Sequence, residues 1–447
     1  MKKIFKILMT IIFSTTTTGS IIACSNPFAD PNVIRITIVT DGHPINDKSF
    51  NESSLLGAIQ FQEEFEQWTN RPEELKNKKI VITPIMPTTI DENTFVQSYG
   101  QSVVMTSAVT VASGFVQKSS LVRAQNQTLK NLMRYIYVDG DTEDDIVASE
   151  NKNLAGLLYN AEQSGLMAAI AGAVWLIAHA NEYGGFNNLK MSTYGGLNIP
   201  SVTNYMYGFF WGLYLVNESK NLKPEFNQQL KDLVKILNSN FDVNNDLPTI
   251  KFVDLPNQFT GNFNQASTSS KAINTALVSA GTNIIFPVAG PQTSDTLSAL
   301  EAKGNGKVIG VDTDQQLQYG ESADRFITSA LKNIVGSVNY MMWRAIGYDE
   351  TPQHNKLSES EMDEIFKTNA PYRGGSDFVG IAKNSAIAAI YDGIINNTNL
   401  IKDNGFLDQV SQGWQKVLKE NHNDLWNTGK DINPFILSAL NYHKKDR

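Results

Sequence analysis

The chain alternates short apolar runs with longer amphipathic stretches. The first run, Val33 to Thr40, is built almost entirely from β-branched residues and stops at Asp41-Gly42. Such a run suits a strand buried in a parallel sheet, and Asp-Gly is a turn signal. A polar loop follows, then a helix-like pattern from Glu52 to Phe65. The rhythm continues with strands expected at Ile80 to Ile85, Val109 to Ala112 and Tyr135 to Asp139, and helices at Thr94 to Ser102 and Leu121 to Leu132. Val103 to Thr106 reads as the start of a further βα unit. Beyond an acidic loop, Ala161 to Ala180 reads as a long apolar helix. Strands are then expected at Leu189 to Tyr194, Thr249 to Leu255, Asn283 to Val288 and Lys307 to Val311. The helices between them are Tyr205 to Val216, Ser270 to Ala280 and Ser294 to Lys303. Regular alternation of this kind predicts an α/β protein with mostly parallel sheets, and about ten units suggest two sheets rather than one.

Some stretches break the rhythm. Asn217 to Asp246 is rich in Asn, Lys and Asp and reads as a surface insertion. Thr351 to Ser376 is a second irregular stretch, Asp377 to Asn396 carries one more strand and helix, and Gly405 to Arg447 is polar. From Gly165 to Ala180 there is no Asp, Glu, Lys or Arg. That is short for a membrane span, so a helix buried against a sheet is expected.

The N-terminus changes the picture. Lys2, Lys3 and Lys6 precede an apolar core from Ile7 to Phe13, and Ile21-Ile22-Ala23-Cys24 follows a polar stretch. This is the layout of a signal peptide, residues 1–23, ending in a motif that resembles a bacterial lipobox. Cys24 is the only cysteine in the chain, which favours lipidation there and anchoring outside the cytoplasmic membrane. Residues 24–32 would be a tether. No intrachain disulfide is possible, so stability rests on packing.

Of 447 residues, 41% are hydrophobic and 18% charged, a globular composition with room for two or three domains. A formal charge of −8 and the lack of a basic stripe argue against nucleic acid as a partner. The five histidines are scattered, so a zinc site is not expected. Asp139, Asp141, Glu143, Asp145 and Glu150 fall near calcium-loop spacing, but Asp144 stands where that loop needs glycine. Gly304, Gly306 and Gly310 precede a strand, whereas a dinucleotide loop follows one. No nucleophile motif is present, and neither metal nor cofactor is expected.

Six blocks, in order, resemble the basic membrane protein family: VTDGHPINDKSFNES (39–53), AEQSGLMAA (161–169), YGGLNIPSVTNYMYGF (194–209), IIFPVAG (284–290), VIGVDTDQ (308–315) and ITSALKN (327–333). The resemblance implies a lipid-anchored solute-binding protein of an ABC importer, non-enzymatic, with a purine nucleoside as ligand and the permease and its ATPase as partners. It also implies a type I periplasmic-binding-protein fold, two Rossmann-like lobes joined by a hinge of three crossovers. The expected lobes are 33–145 with 326–350, and 146–325 with 377–400, followed by a C-terminal extension at 401–447.

Carried over position by position, Asp41 would bond the base and Phe50 would stack on it. Tyr205, where the family often has Phe, would be the second stacking face. Asp312 would accept the ribose hydroxyls, and Lys332 would reach the sugar or steady Asp312. Ser113, Asp47 and Gly290 lie at matching loops. Asn46 departs from the family, which often has Asp there. By residue type alone, Phe50 and Tyr205 also fit core positions, Asp312 a turn cap and Lys332 a helix surface. A sugar or another small polar solute remains open as ligand, as does an adhesin or hydrolase built on the same fold.

Overall fold

β-branched strands stack side by side and the helices between them cover the faces. In the computed structural model the described residues are 26, 28–47, 49–114, 133–139, 153–222, 224–366, 372–373 and 378–397. They form two units. One comprises the described residues up to Leu158 together with Ile334–Tyr372; the other comprises Tyr159–Asn333 together with those from Arg373 on. The chain therefore passes from one to the other three times.

The first unit holds strands β1 (Val33–Val39), β2 (Lys79–Ile85), β3 (Val109–Ala112), β4 (Arg134–Val138) and β5 (Leu154–Leu158). Later in the chain β11 (Tyr372–Arg373) joins the edge, giving the order β11-β5-β4-β3-β1-β2. The ladders β2–β1, β1–β3, β3–β4 and β4–β5 are all parallel. Helices α1 (Phe50–Gln67) and α2 (Glu92–Val104) follow β1 and β2. Val103 and Val104, expected to open a new βα unit, are the last turn of α2 instead.

The second unit is built the same way. Its strands are β6 (Lys190–Gly195), β7 (Lys251–Phe252), β8 (Ile284–Val288), β9 (Lys307–Asp312) and β10 (Phe326–Lys332). With β12 (Val379–Ile381), which runs antiparallel to β10, the order is β12-β10-β9-β8-β6-β7. The helices are α3 (Ala161–Ala178), α4 (Pro200–Asn217), α5 (Ser219–Leu222), α6 (Pro224–Leu237), α7 (Thr268–Ser279) and α8 (Thr293–Glu301). After them come α9 (Ile334–Ala345) and α10 (Glu359–Phe366), which belong to the first unit.

In each sheet the second strand in sequence lies outside the first and the third lies on its other side. The direction of winding thus reverses beside the first strand, and open α/β sheets bind ligands outside the carboxyl ends of strands at such a switch point. The crevice falls between β1 and β3 in one unit and between β6 and β8 in the other.

α3 is the one described helix long and apolar enough to cross a membrane, and it is buried along its whole length. Glycines let α4 lie against it: a Cβ on Gly165 would stand 2.1 Å from the Tyr205 carbonyl oxygen, and one on Gly208 1.9 Å from that of Glu162. Only a missing side chain permits backbones to approach this closely.

Two expectations are corrected. Residues 326–350 do not belong together, because β10 pairs with β9 in the second sheet and the first unit takes up the chain again only at Ile334, where α9 begins. Residues 154–158 belong with the first unit, where β5 extends the ladder from β4. The stretch 217–246, read as a surface insertion, contains helices α5 and α6. α6 buries Phe226, Leu230, Leu233 and Val234 and packs on α3, so an amphipathic helix lies under its polar composition. Its end is tied down as well, with Asn238 Nδ2 donating to the Ala178 carbonyl at 2.9 Å.

Candidate ligand site

In the first unit the site grows from the carboxyl ends of β1 and β3. Asp41 stands two residues past β1, where Gly42, at φ 97°, turns the chain. A side chain at Gly42 would run into Ile90, 2.6 Å from its Cβ position. Oδ1 of Asp41 accepts from Asn51 Nδ2 at 2.7 Å and from the His43 amide at 3.1 Å, with His43 Nδ1 at 3.0 Å. Asp47 caps α1 from just before its start, its carboxylate accepting from the amides of Ser49, Asn51 and Glu52 at 2.9, 3.3 and 3.1 Å. Asn51 is fully buried and joins the two acids, for the same Nδ2 donates to Asp47 Oδ2 at 2.8 Å. Ser113, one residue past β3 and fully buried, shares a hydrogen bond of 3.0 Å with Ser54 Oγ on α1. Phe50 opens α1 and is half-buried.

The two carboxyls respond differently to this setting. Burial pushes Asp41 upward, but hydrogen bonds and the charge of His43, with help from Asn51, outweigh it and hold the group below the usual carboxylate range. Burial raises Asp47, and the Asp41 charge adds to the rise against the backbone amides that oppose it.

In the second unit Asp312 closes β9 with φ at 64°. A non-glycine residue in that conformation costs roughly 1–2 kcal/mol, and such outliers gather at functional sites. Asp312 is 6% exposed. Its Oδ1 accepts from the Tyr205 hydroxyl at 3.2 Å and lies 3.9 Å from Lys332 Nζ at the end of β10. At that separation the lysine is a charge partner, and it also donates a hydrogen bond to the Ser201 carbonyl at 3.0 Å. The ammonium also sits 4.7 Å from the centre of the Tyr205 ring and 5.9 Å from that of Tyr159. Gly290, at φ 51°, lies in the loop after β8. Gln315 connects these loops: its Oε1 accepts from the Val311 amide and Thr293 Oγ1, and its Nε2 reaches the Gly290 carbonyl at 3.4 Å.

The fold thus gathers Asp41, Asp47 and Ser113 at one switch point, and it gathers Tyr205, Asp312 and Lys332 in the other unit, with Gly290 linked through Gln315. Tyr205 lies on α4. Its ring is fully buried, edge-on to Phe286 and with Lys332 near its centre, so the hydroxyl is what it turns toward Asp312. Lys332 ends a strand and is buried, which removes the helix-surface alternative. Sequence reasoning missed Asn51 and Gln315, although both stand inside blocks that carried the resemblance. Cys24 and most of the acidic loop after Asp139 lie outside the described residues.

Known proteins resemble this chain in both sequence and fold. Over 256 residues it is 23% identical to the uncharacterized lipoprotein MG040 of Mycoplasma genitalium, covering 47% of this chain and 43% of that one. The homolog of that lipoprotein in Mycoplasma pneumoniae is 22% identical over 263 residues, covering 47% and 39%. The match therefore spans about two fifths of the length of these relatives. Among solved structures, a solute-binding protein of an ABC transporter system from Aeropyrum pernix superposes with a TM-score of 0.53 at 14% identity, covering 92% of this chain and 86% of that one. The arabinose-binding protein AraP of Geobacillus stearothermophilus gives 0.50 at 14% identity, covering 80% and 99%. These likenesses carry the fold: two-lobed, α/β and mostly parallel. The model of the family described as ABC transporter substrate-binding protein, PnrA-like, matches residues 34–235 and 253–358, well over half of the chain, and the chain belongs to that family.

Proposed function

We propose that the protein is a lipid-anchored receptor on the outer face of the cell membrane that captures a purine nucleoside and delivers it to an ABC importer. Phe50 and Asp41 take the base, and Asp312 takes the ribose hydroxyls. The observation that carries this reading is Asp312, a nearly buried carboxylate on a left-handed backbone, beside a buried lysine and a tyrosine hydroxyl. A carboxylate so held suits neighbouring hydroxyls, which it accepts in charge-assisted bonds. Lys332 and Tyr205 then position Asp312, and Ser113, Asp47 and Gly290 shape the loops around the ligand.

Calorimetry with a panel of purine nucleosides and pentoses tests the reading. Binding of a nucleoside and of no free sugar supports it. Binding of arabinose or another sugar alone replaces it with the sugar alternative, since ribose and free sugars offer the same hydroxyls to Asp312. Anchoring is tested separately. The Cys24→Ala variant should lose labelled fatty acid and leave the membrane fraction, and unchanged fractionation with label retained removes the anchor from the proposal.

A further inference from the structure

The loop after β1 gives Asp41 a lopsided environment. All three of its donors fall on Oδ1: the His43 amide, His43 Nδ1 and Asn51 Nδ2. Among the described residues no donor lies on Oδ2. Both hydrogens of the Asn51 amide are committed, one to each carboxylate, and its oxygen faces the Asp41 amide at 3.3 Å. Gly114 lies beside this half of the group, where a Cβ would stand 3.2 Å from Asp41 Cβ and 3.5 Å from Oδ2.

Resting on the nucleoside reading above, we propose that His43 is a positioning residue that loads one oxygen of Asp41 and leaves the other as the acceptor, so that the site selects bases carrying an N–H donor and does so in a pH-dependent way. A carboxylate accepts, so Nδ1 of His43 carries the proton in this pair. While the ring is neutral, Asp41 keeps its full negative charge for a ligand at Oδ2. Protonation of the ring sets a whole positive charge 3.0 Å from Oδ1 and weakens the carboxylate as an acceptor. Imidazoles ordinarily titrate between about pH 5 and 8, within reach of the external medium. Among the described residues, the other charged groups on the elements packed around this loop are Asp47 and Glu52 at the start of α1 and Asp91 and Glu92 at the start of α2. The described end of β3 carries none. Of these, Asp47 is the carboxyl raised by burial, so its titration needs separating from that of His43.

The experiment is calorimetry on the full chain from about pH 8 to about pH 5.5, with adenosine, inosine and purine riboside, whose base has no N–H on its six-membered ring. The expected wild-type result is binding of adenosine or inosine about threefold to tenfold weaker at the acid end, with purine riboside weak and flat across the range. His43→Gln keeps a neutral donor beside Asp41, so the acid slope should vanish while affinity at the alkaline end stays near wild type. His43→Lys fixes a cation there and should bind weakly at both ends. Asp47→Asn, whatever its affinity, should keep the wild-type slope. An unchanged slope in His43→Gln, a slope lost in Asp47→Asn, or equal affinity for purine riboside and inosine overturns the inference and leaves the nucleoside reading standing. No nucleoside binding at any pH overturns both.

Discussion

The two units wind their strands in the same order, and each sets a buried aspartate at the end of the matching strand. In the first, Asp139 follows β4; in the second, Asp312 ends β9, the strand at the same place in its sheet. Both are buried, 3% and 6% exposed, and both have left-handed backbones, with φ of 57° and 64°. The backbone device is thus repeated. The second unit surrounds its aspartate with a lysine from the next strand and a tyrosine from α4. The first unit carries a described polar cluster at its switch point, on Asp41, Asn51, Asp47 and Ser113. Topology fixes where a side chain can meet a ligand, and the residues at those addresses decide which chemistry is offered.

This difference can be broken or sharpened by mutation. If Asp312 takes ligand hydroxyls as proposed, Asp312→Ala should cost roughly 2–4 kcal/mol of binding, two to three decades in affinity. Asp139→Ala should lose less than about one decade in the same calorimetry. Equal losses would show that the repeated backbone, and not the charge set around Asp312, makes the site.

Gly208→Val drives a side chain into the Glu162 carbonyl and should lower stability by about 3 kcal/mol, read from urea unfolding. An exposed helix position tolerates more: Leu56→Ala on α1, 37% exposed, should cost well under about 1 kcal/mol. Phe50→Ala should cost roughly 1–3 kcal/mol of nucleoside binding and leave the unfolding curve nearly unchanged, since the ring is only half-buried. A fall in stability as large as the fall in affinity would make Phe50 a core residue after all.

The smallest effect separates the two acids around Asn51. The folded-state pKa of Asp41 is lowered, so its contribution to stability is present above the ordinary carboxyl value of 3.8 and lost as pH falls through the folded value. That of Asp47 is raised, so its contribution is present below 3.8 and lost as pH rises through the folded value. Asp41→Asn should therefore become more costly, relative to wild type, as pH rises from about 3 to 6, and Asp47→Asn less costly. Parallel unfolding profiles for the two variants would mean that His43 and the backbone amides do not set them apart.

Much of the architecture was legible from pattern. Buried parallel strands need continuous apolar runs, so Val33 to Val39 and Ile284 to Val288 announced themselves, as did the helix that became α3, which carries no charged residue from Gly165 on. Where polar composition and amphipathic period conflicted, composition misled: α6 buries one face although half of its residues are polar. Strand ownership was also illegible, because pairing partners are set by ladders between distant residues such as Phe326 and Val308 or Leu154 and Tyr135.

The candidate site divides in the same way. Asp41 and Asp312 were legible as residues that follow β-rich runs at the carboxyl ends where such sheets bind, and the family resemblance supplied their expected roles. Nothing local could show that Asn51 would hold two carboxylates at once, or that the Tyr205 ring would be buried with its hydroxyl on Asp312. Sequence by itself determined which segments become strands and helices, because that follows from the period of apolar residues along a short stretch. Only the tertiary structure decided the direction of each hydrogen bond and the depth of each charge. Those depend on groups brought within about 3 Å from far along the chain, and their strength depends on how much water that packing leaves beside them.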